Sequence, residues 1–65
     1  MNIKKGTIIK GKDMRSPLLY IARVHKKGTF RGDEEMFTIR TFLDNKHYKL
    51  ISKEELITYY EEVKE

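Results

Sequence analysis

The sequence predicts a small, mainly β domain: an antiparallel barrel or curled meander of four to five strands, followed by a C-terminal helix. Three observations predict this class. Apolar and polar residues alternate in several stretches, glycines and the single proline separate those stretches, and the final stretch changes to a helical spacing. Because 65 residues are few for more than one domain, residues 1–65 are expected to form a single domain.

The first two strands are expected on either side of a turn at Ser16-Pro17. Residues 7–10 are a short β-branched run that ends at Gly11, and residues 18–25 alternate strictly. The wholly apolar face of the second strand, which is expected to point inward, consists of Leu18, Tyr20, Ala22 and Val24. The face expected to point outward consists of Leu19, Ile21, Arg23 and His25.

Two further strands are expected after a polar connection at residues 26–35. Residues 36–43 alternate again, and a turn leads to a last short strand at residues 47–51. The residues expected to face inward are Phe37, Ile39, Thr41 and Leu43 on the third strand, with Tyr48 and Leu50 on the fourth. Met36, Thr38, Arg40 and Phe42 are expected to face outward.

A helix is expected from about Lys53 to Lys64. Ser52 and Glu55 have the spacing of a capping box, in which each side chain satisfies a free backbone N–H group of the first helical turn. Leu56, Tyr60 and Val63 then follow at the spacing of one helical face. A helix of about three turns is marginal alone, so this stripe is expected to dock on the sheet.

Two segments resemble known small barrels. The segment from Ser16 to Val24 is similar to the strand that crosses chromo-type and Tudor-type barrels, and the segment from Phe37 to Leu56 is similar to their later strands. The small archaeal chromatin proteins share this layout, in which short strands lead into a C-terminal helix. The resemblance therefore implies an SH3-like barrel. Those families often use tryptophan in the binding face and this chain has none, so the resemblance implies a fold and not a ligand.

The composition favours binding over catalysis. The chain has no cysteine, which excludes disulfides and cysteine-containing zinc sites. His25 and His47 lack a metal-ligand spacing, and the acidic run from Asp33 to Glu35 is expected to be a solvated loop. No catalytic residue, cofactor or metal is therefore expected, and the protein is not expected to be an enzyme.

A cytoplasmic location without membrane contact is expected as well. The longest apolar run, from Leu18 to Ala22, is far shorter than the ~20 residues of a membrane span. A lack of cysteine also fits a reducing compartment.

Positive charge is concentrated in the first half of the chain. Residues 1–32 carry nine Lys or Arg and one acid, whereas residues 33–65 carry five and nine, for a net charge of +4 overall. If the basic side chains converge on one sheet face, they can neutralise the phosphates of a nucleic acid. The residues expected to form this surface are Lys10, Arg23, Lys26, Lys27, Arg31, Arg40 and Lys49.

A protein partner is the function that the sequence favours, with nucleic acid as the alternative. Apolar residues on otherwise polar strand faces are expected to form an exposed patch suited to a protein interface or a homodimer. The patch consists of Leu19, Ile21, Met36 and Phe42. The Lys-, Ile-, Glu- and Tyr-rich composition also resembles that of small phage or mobile-element accessory proteins, many of which bind and inhibit a host protein.

Overall fold

A computed structural model describes residues 3–30, 32–43 and 46–64, and it confirms the mainly β class. The elements are β1 (Ile8–Gly11), β2 (Leu18–His25), β3 (Met36–Thr41), β4 (Lys49–Ser52), α1 (Lys53–Tyr59) and β5 (Tyr60–Glu62). All pairings are antiparallel, and the five strands lie in the order β4-β3-β2-β1-β5. The sheet curls into a half-barrel with the short helix near the C-terminus.

The concave side of this half-barrel holds the core. Every strand except β5, together with α1, contributes at least one fully buried apolar side chain, because a sheet of this size can bury only one of its faces. The buried residues are Ile9, Ile21, Phe37, Ile39, Ile51 and Leu56. Ile3, Leu19, Val24 and Tyr60 pack against them at the margin. No helix in the described part of the chain is long and apolar enough to cross a membrane.

The prediction for β2 is wrong in its first half, because the strand contains a bulge. Ile21 lies opposite Ile39, but the next pair along the strand is Arg23 with Thr38, so Ala22 is an extra residue without a partner. The bulge reverses the alternation, and the inward residues are Leu19 and Ile21 before it and Val24 after it. Leu18 and Tyr20, which were expected inward, therefore point away from the core.

The assignment of β4 is wrong by one residue, whereas that of β3 is confirmed at Phe37 and Ile39. Ile51 lies opposite Phe37 and is fully buried, so Leu50 and Tyr48 belong to the outer side. Isoleucine occupies the inner position because its burial leaves no polar group without a hydrogen bond, whereas a buried tyrosine hydroxyl needs a partner. Beyond the end of β3, the predicted inward residue Leu43 is largely exposed.

The start of the helix is confirmed, but its end is not. The backbone N–H of Glu55 donates to the Ser52 Oγ over 3.2 Å, as the capping box predicts. The helix ends at Tyr59, and residues 60–62 form β5 instead of a further helical turn. The expectation of a helix to Lys64 is therefore wrong.

The pairing of β5 with β1 explains this early end. Glu62 lies opposite Ile9, Glu61 opposite Lys10 and Tyr60 opposite Gly11, and the Val63 N–H donates to the Ile8 carbonyl oxygen over 2.9 Å. Five further residues of helix, to Lys64, would still give a helix that is marginal in water. The strand pairing instead satisfies backbone groups along the edge of β1 and lets Tyr60 pack against the core.

Loss of the helix cap should weaken the fold measurably. Replacing Ser52 by alanine removes the oxygen that accepts from the Glu55 N–H, and we expect a loss of about 1 kcal/mol in the free energy of unfolding. Urea unfolding followed by circular dichroism measures the change. Ser52→Asp, which keeps an accepting oxygen, should retain most of the stability. If the alanine and aspartate variants were equally weakened, the cap would not be the cause.

Candidate binding face on the outer side of the sheet

The side of the sheet away from the core is called the outer face here. Its members alternate with buried residues or lie opposite other members in the strand register, and so they share one side of the sheet. They are Ile8 and Lys10 on β1, Leu18, Tyr20, Arg23 and His25 on β2, Met36, Thr38 and Arg40 on β3, Leu50 on β4, and Glu61 on β5. The side chains of Phe42 and Tyr48 contact members of this face and extend it.

A row of aromatic rings and one arginine crosses the outer face. Tyr20 lies directly opposite Arg40 in the pairing of β2 with β3. The guanidinium carbon of Arg40 lies 5.5 Å from the ring centroid of Tyr48, and the ring centroids of Tyr20 and Phe42 are 4.9 Å apart. Phe42, Tyr20, Arg40 and Tyr48 are called the aromatic row below. Phe42 is 55% exposed and Tyr48 is 64% exposed, so both rings are open to a ligand.

A groove adjoins the aromatic row. It has a volume of about 480 Å³, and its walls include Arg23, His25, Phe30, Thr38, Arg40 and Tyr48. The His25 Nε2 and the Thr38 Oγ1 are hydrogen-bonded at 2.7 Å, and the rings of His25 and Phe30 meet edge-on with their centroids 4.9 Å apart. The groove therefore combines ring surfaces, two guanidinium groups and a polar pair.

The charges of the outer face are unevenly placed. At the β1–β5 edge, Lys10 and Glu61 form an exposed salt bridge at 3.6 Å, so their charges largely cancel. Arg23 and Arg40 lie on the two central strands β2 and β3, beside the groove. Glu34 and Met36 border a smaller cavity, which shares Phe30 and Leu50 with the groove. The two central strands therefore bring two guanidinium groups to the groove, and a carboxylate borders the adjoining cavity.

Three of the predicted nucleic-acid-binding residues lie on the outer face as expected. They are Lys10, Arg23 and Arg40. Lys26 and Lys27 are exposed in the connection that follows β2. Lys49 was expected on the same surface, but it lies opposite the buried Ile39 and so belongs to the other side of the sheet. Arg31 lies outside the described residues.

The predicted protein-binding patch is not assembled. Ile21 is 0% exposed and Leu19 packs against the core, because the bulge in β2 turns both side chains inward. Met36 and Phe42 do lie on the outer face, but Met36 begins β3 and Phe42 follows its last residue. The expectation that these four residues form one exposed surface is therefore wrong.

Tyr20 and Tyr48 are the site residues that the sequence prediction missed, since both were assigned to the core. The alternation contains no signal for them, because Tyr20 belongs to the wholly apolar face of residues 18–25 and Tyr48 shares its face with Leu50. Only a general preference points to the outer side, since isoleucine, present at positions 21 and 51, is buried more often than tyrosine.

The chemistry available on the outer face is stacking, hydrogen bonding and attraction of anions. Aromatic rings and guanidinium groups offer flat surfaces, and Arg and Lys contact phosphate oxygens. Among the described residues, no group of three or more His, Asp or Glu side chains is placed to hold a metal ion.

Comparison with protein-family models, with curated proteins and with solved structures finds no match to this chain. The geometry and charge of the outer face are therefore the basis on which a function is assigned.

Proposed function

We propose that this protein is a non-catalytic module that binds single-stranded nucleic acid on its outer face. The observation that carries the proposal is the aromatic row, in which Arg40 lies between Tyr20 and Tyr48 across neighbouring strands. Interleaved rings and cations on an open sheet surface are what single-strand binding needs. The rings stack on bases, and the cations follow the backbone.

The exposed rings of the aromatic row can stack on unpaired bases. Tyr48 and Phe42 expose more than half of their surface, although each ring has a neighbour on one side. The core positions of β2 and β4 hold Ile21 and Ile51, so the aromatic rings lie on the outer face instead. Exposed rings held in place by an adjacent side chain are ordered before a ligand arrives, which lowers the entropic cost of binding.

Basic side chains lie beside the rings. Arg23 and Arg40 lie at the centre of the face, and Lys26 is exposed in the connection after β2. Lys27 instead borders a separate pocket with Glu34, Glu35 and Glu54. Each phosphate contact releases counterions, so affinity for a single strand should fall with salt by about 0.7 log units per contact and per tenfold change in salt.

The open, ring-bearing surface favours a single strand over a duplex. In a duplex the bases are already stacked on one another, and only their edges are accessible in the grooves. The aromatic row offers ring faces, which an unpaired base can cover. Duplex contacts would be limited to the phosphates and would be weaker.

We infer that the half-barrel is SH3-like, and the support is its layout. Four strands form a meander, a short helix follows, and β5 returns to pair with β1. Because β5 pairs with β1, the first and the last strand of the chain lie against the same core.

Fluorescence anisotropy of labelled oligonucleotides tests the proposed function. Single strands of about ten nucleotides and a duplex of matched sequence are titrated at ~50 and ~200 mM salt. We expect micromolar binding that is tighter for the single strand and that weakens roughly 7- to 50-fold over this range, as about two to four phosphate contacts predict. Absence of single-strand binding at ~50 mM salt would contradict the proposal.

Truncating Tyr48 should reduce affinity because it removes a stacking surface. We expect Tyr48→Ala to weaken single-strand binding by roughly 5- to 150-fold, the effect of losing one stacked base. Tyr59→Ala is the matched control, because Tyr59 is also 64% exposed but belongs to α1. Equal losses in the two variants would show that Tyr48 has no special role.

A protein partner, which the chain would modulate or inhibit, is the second candidate. The observation in its favour is an exposed apolar cluster at one end of the outer face, where Leu18 is 48% exposed and Phe42 contacts Tyr20. Interfaces are enriched in aromatic residues and arginine, so the same face suits a protein. For a homodimer, sedimentation velocity should show self-association that persists at high salt and is lost in Leu18→Ser.

A further inference from the structure

We propose that the groove beside the aromatic row reads the base of one nucleotide, with the His25–Thr38 pair hydrogen-bonding to the base edge and Arg23 and Arg40 holding adjacent phosphates. This inference rests on the proposed function, and it adds a preference of the wild-type protein for some bases over others. A face that only stacks on bases and attracts phosphates would discriminate among bases weakly.

The dimensions and lining of the groove fit a nucleotide. Its volume of about 480 Å³ falls within the ~300–1,000 Å³ of small-molecule sites. The rings of Phe30 and Tyr48 and the side chain of Leu50 form apolar walls, against which a base can pack. Arg23 and Arg40 border the same groove, so a phosphate can contact a guanidinium while the base lies inside.

Thr38 lies at the centre of this arrangement. In the strand register it has Arg23 as its partner on β2 and Leu50 as its partner on β4. An outward side chain at this position therefore lies between the cationic and apolar walls of the groove. A base packed on the apolar wall has its edge directed toward this residue.

The His25–Thr38 hydrogen bond leaves capacity for a ligand. A threonine hydroxyl has one donor hydrogen and two acceptor lone pairs, and the imidazole at 2.7 Å uses one of these. If the Nε2 donates, the hydroxyl can still donate and accept, and if the Nε2 accepts, both lone pairs of the hydroxyl are available. The edge contact of Phe30 holds the imidazole in place, so the hydroxyl is presented in a defined direction.

The test compares homopolymers on protein variants. Anisotropy titrations with oligo(dA), oligo(dC) and oligo(dT) of equal length measure the affinity spread of the wild-type protein. We expect the tightest and weakest to differ at least about fivefold, and Thr38→Val to reduce the spread to about twofold or less. Valine preserves the side-chain shape and favours strands, so the variant should fold, which circular dichroism checks.

Two controls separate base reading from other effects. Thr38→Ser keeps the hydroxyl and should keep the spread, and Thr58→Val makes the same change on α1 and should leave it unaltered. The salt dependence should be the same in Thr38→Val as in the wild type, because Arg23 and Arg40 are intact.

Each outcome decides a different part of the account. A spread that Thr38→Val removes and Thr38→Ser retains supports the base-reading groove. Equal binding of all homopolymers by the wild type, or a spread that survives in Thr38→Val, overturns it while leaving single-strand binding in place. Failure of every single strand to bind overturns the proposed function as well.

Discussion

Reversing the charges of Arg23 and Arg40 together should reduce single-strand affinity by about 100-fold or more. Hydrogen bonds to charged groups are worth roughly 1.5–3 kcal/mol each, and two are lost and replaced by repulsion. The slope of log affinity against log salt concentration should also become shallower by about 1.4, which is the contribution of two phosphate contacts. Anisotropy titration of Arg23→Glu/Arg40→Glu measures both quantities.

A second double variant separates position from net charge. Lys53→Glu/Lys64→Glu makes the same change in charge, but Lys53 begins α1 and Lys64 follows β5, so both lie away from the aromatic row. Both double variants lower the net charge of +4 by four, to zero. The lysine variant should keep most of its affinity. If both lost affinity equally, binding would depend on overall charge and not on the outer face.

Replacing Ile21 by alanine should leave the domain close to unfolding. The side chain is fully buried opposite Ile39, and truncating a buried isoleucine costs about 2–5 kcal/mol. A chain of this length has roughly 3–10 kcal/mol of stability in total. Thermal unfolding followed by circular dichroism should show a fall in Tm of roughly 10–30 °C.

Ile8→Ala is the matched control for this prediction. Ile8 lies on the outer face of β1 and is 36% exposed, so the same truncation removes fewer contacts and should cost about 1 kcal/mol. If the two variants were equally stable, Ile21 would lie on the solvent side of β2, as strict alternation predicts.

Local signals account for the parts of the fold that the sequence predicts correctly. The stretch from Leu18 to His25 alternates, the turns carry glycine or proline, and Ser52 with Glu55 forms a cap within one helical turn. β5 is different, because its strand conformation depends on pairing with β1, about 50 residues earlier in the chain. Helical spacing within residues 53–64 cannot reveal that pairing.

The bulge at Ala22 explains why the candidate site was predicted only in part. An extra residue changes which alternate positions face the core partway along the strand, and the alternation of residues 18–25 contains no sign of this change. Arg23 was nevertheless placed correctly, because a charged side chain takes the solvent side in either phase. Tyr20 is amphipathic and suits both sides, so its position depended on the phase, and the aromatic row was missed with it.

The most direct test of single-strand binding by the outer face is an NMR titration of ¹⁵N-labelled protein with a single strand of about eight nucleotides. We expect amide shifts to concentrate on β2, β3 and the residues just before β4, such as Tyr20, Arg40 and Tyr48, while α1 changes little. Shifts concentrated on α1, or no shifts at saturating oligonucleotide, would contradict it.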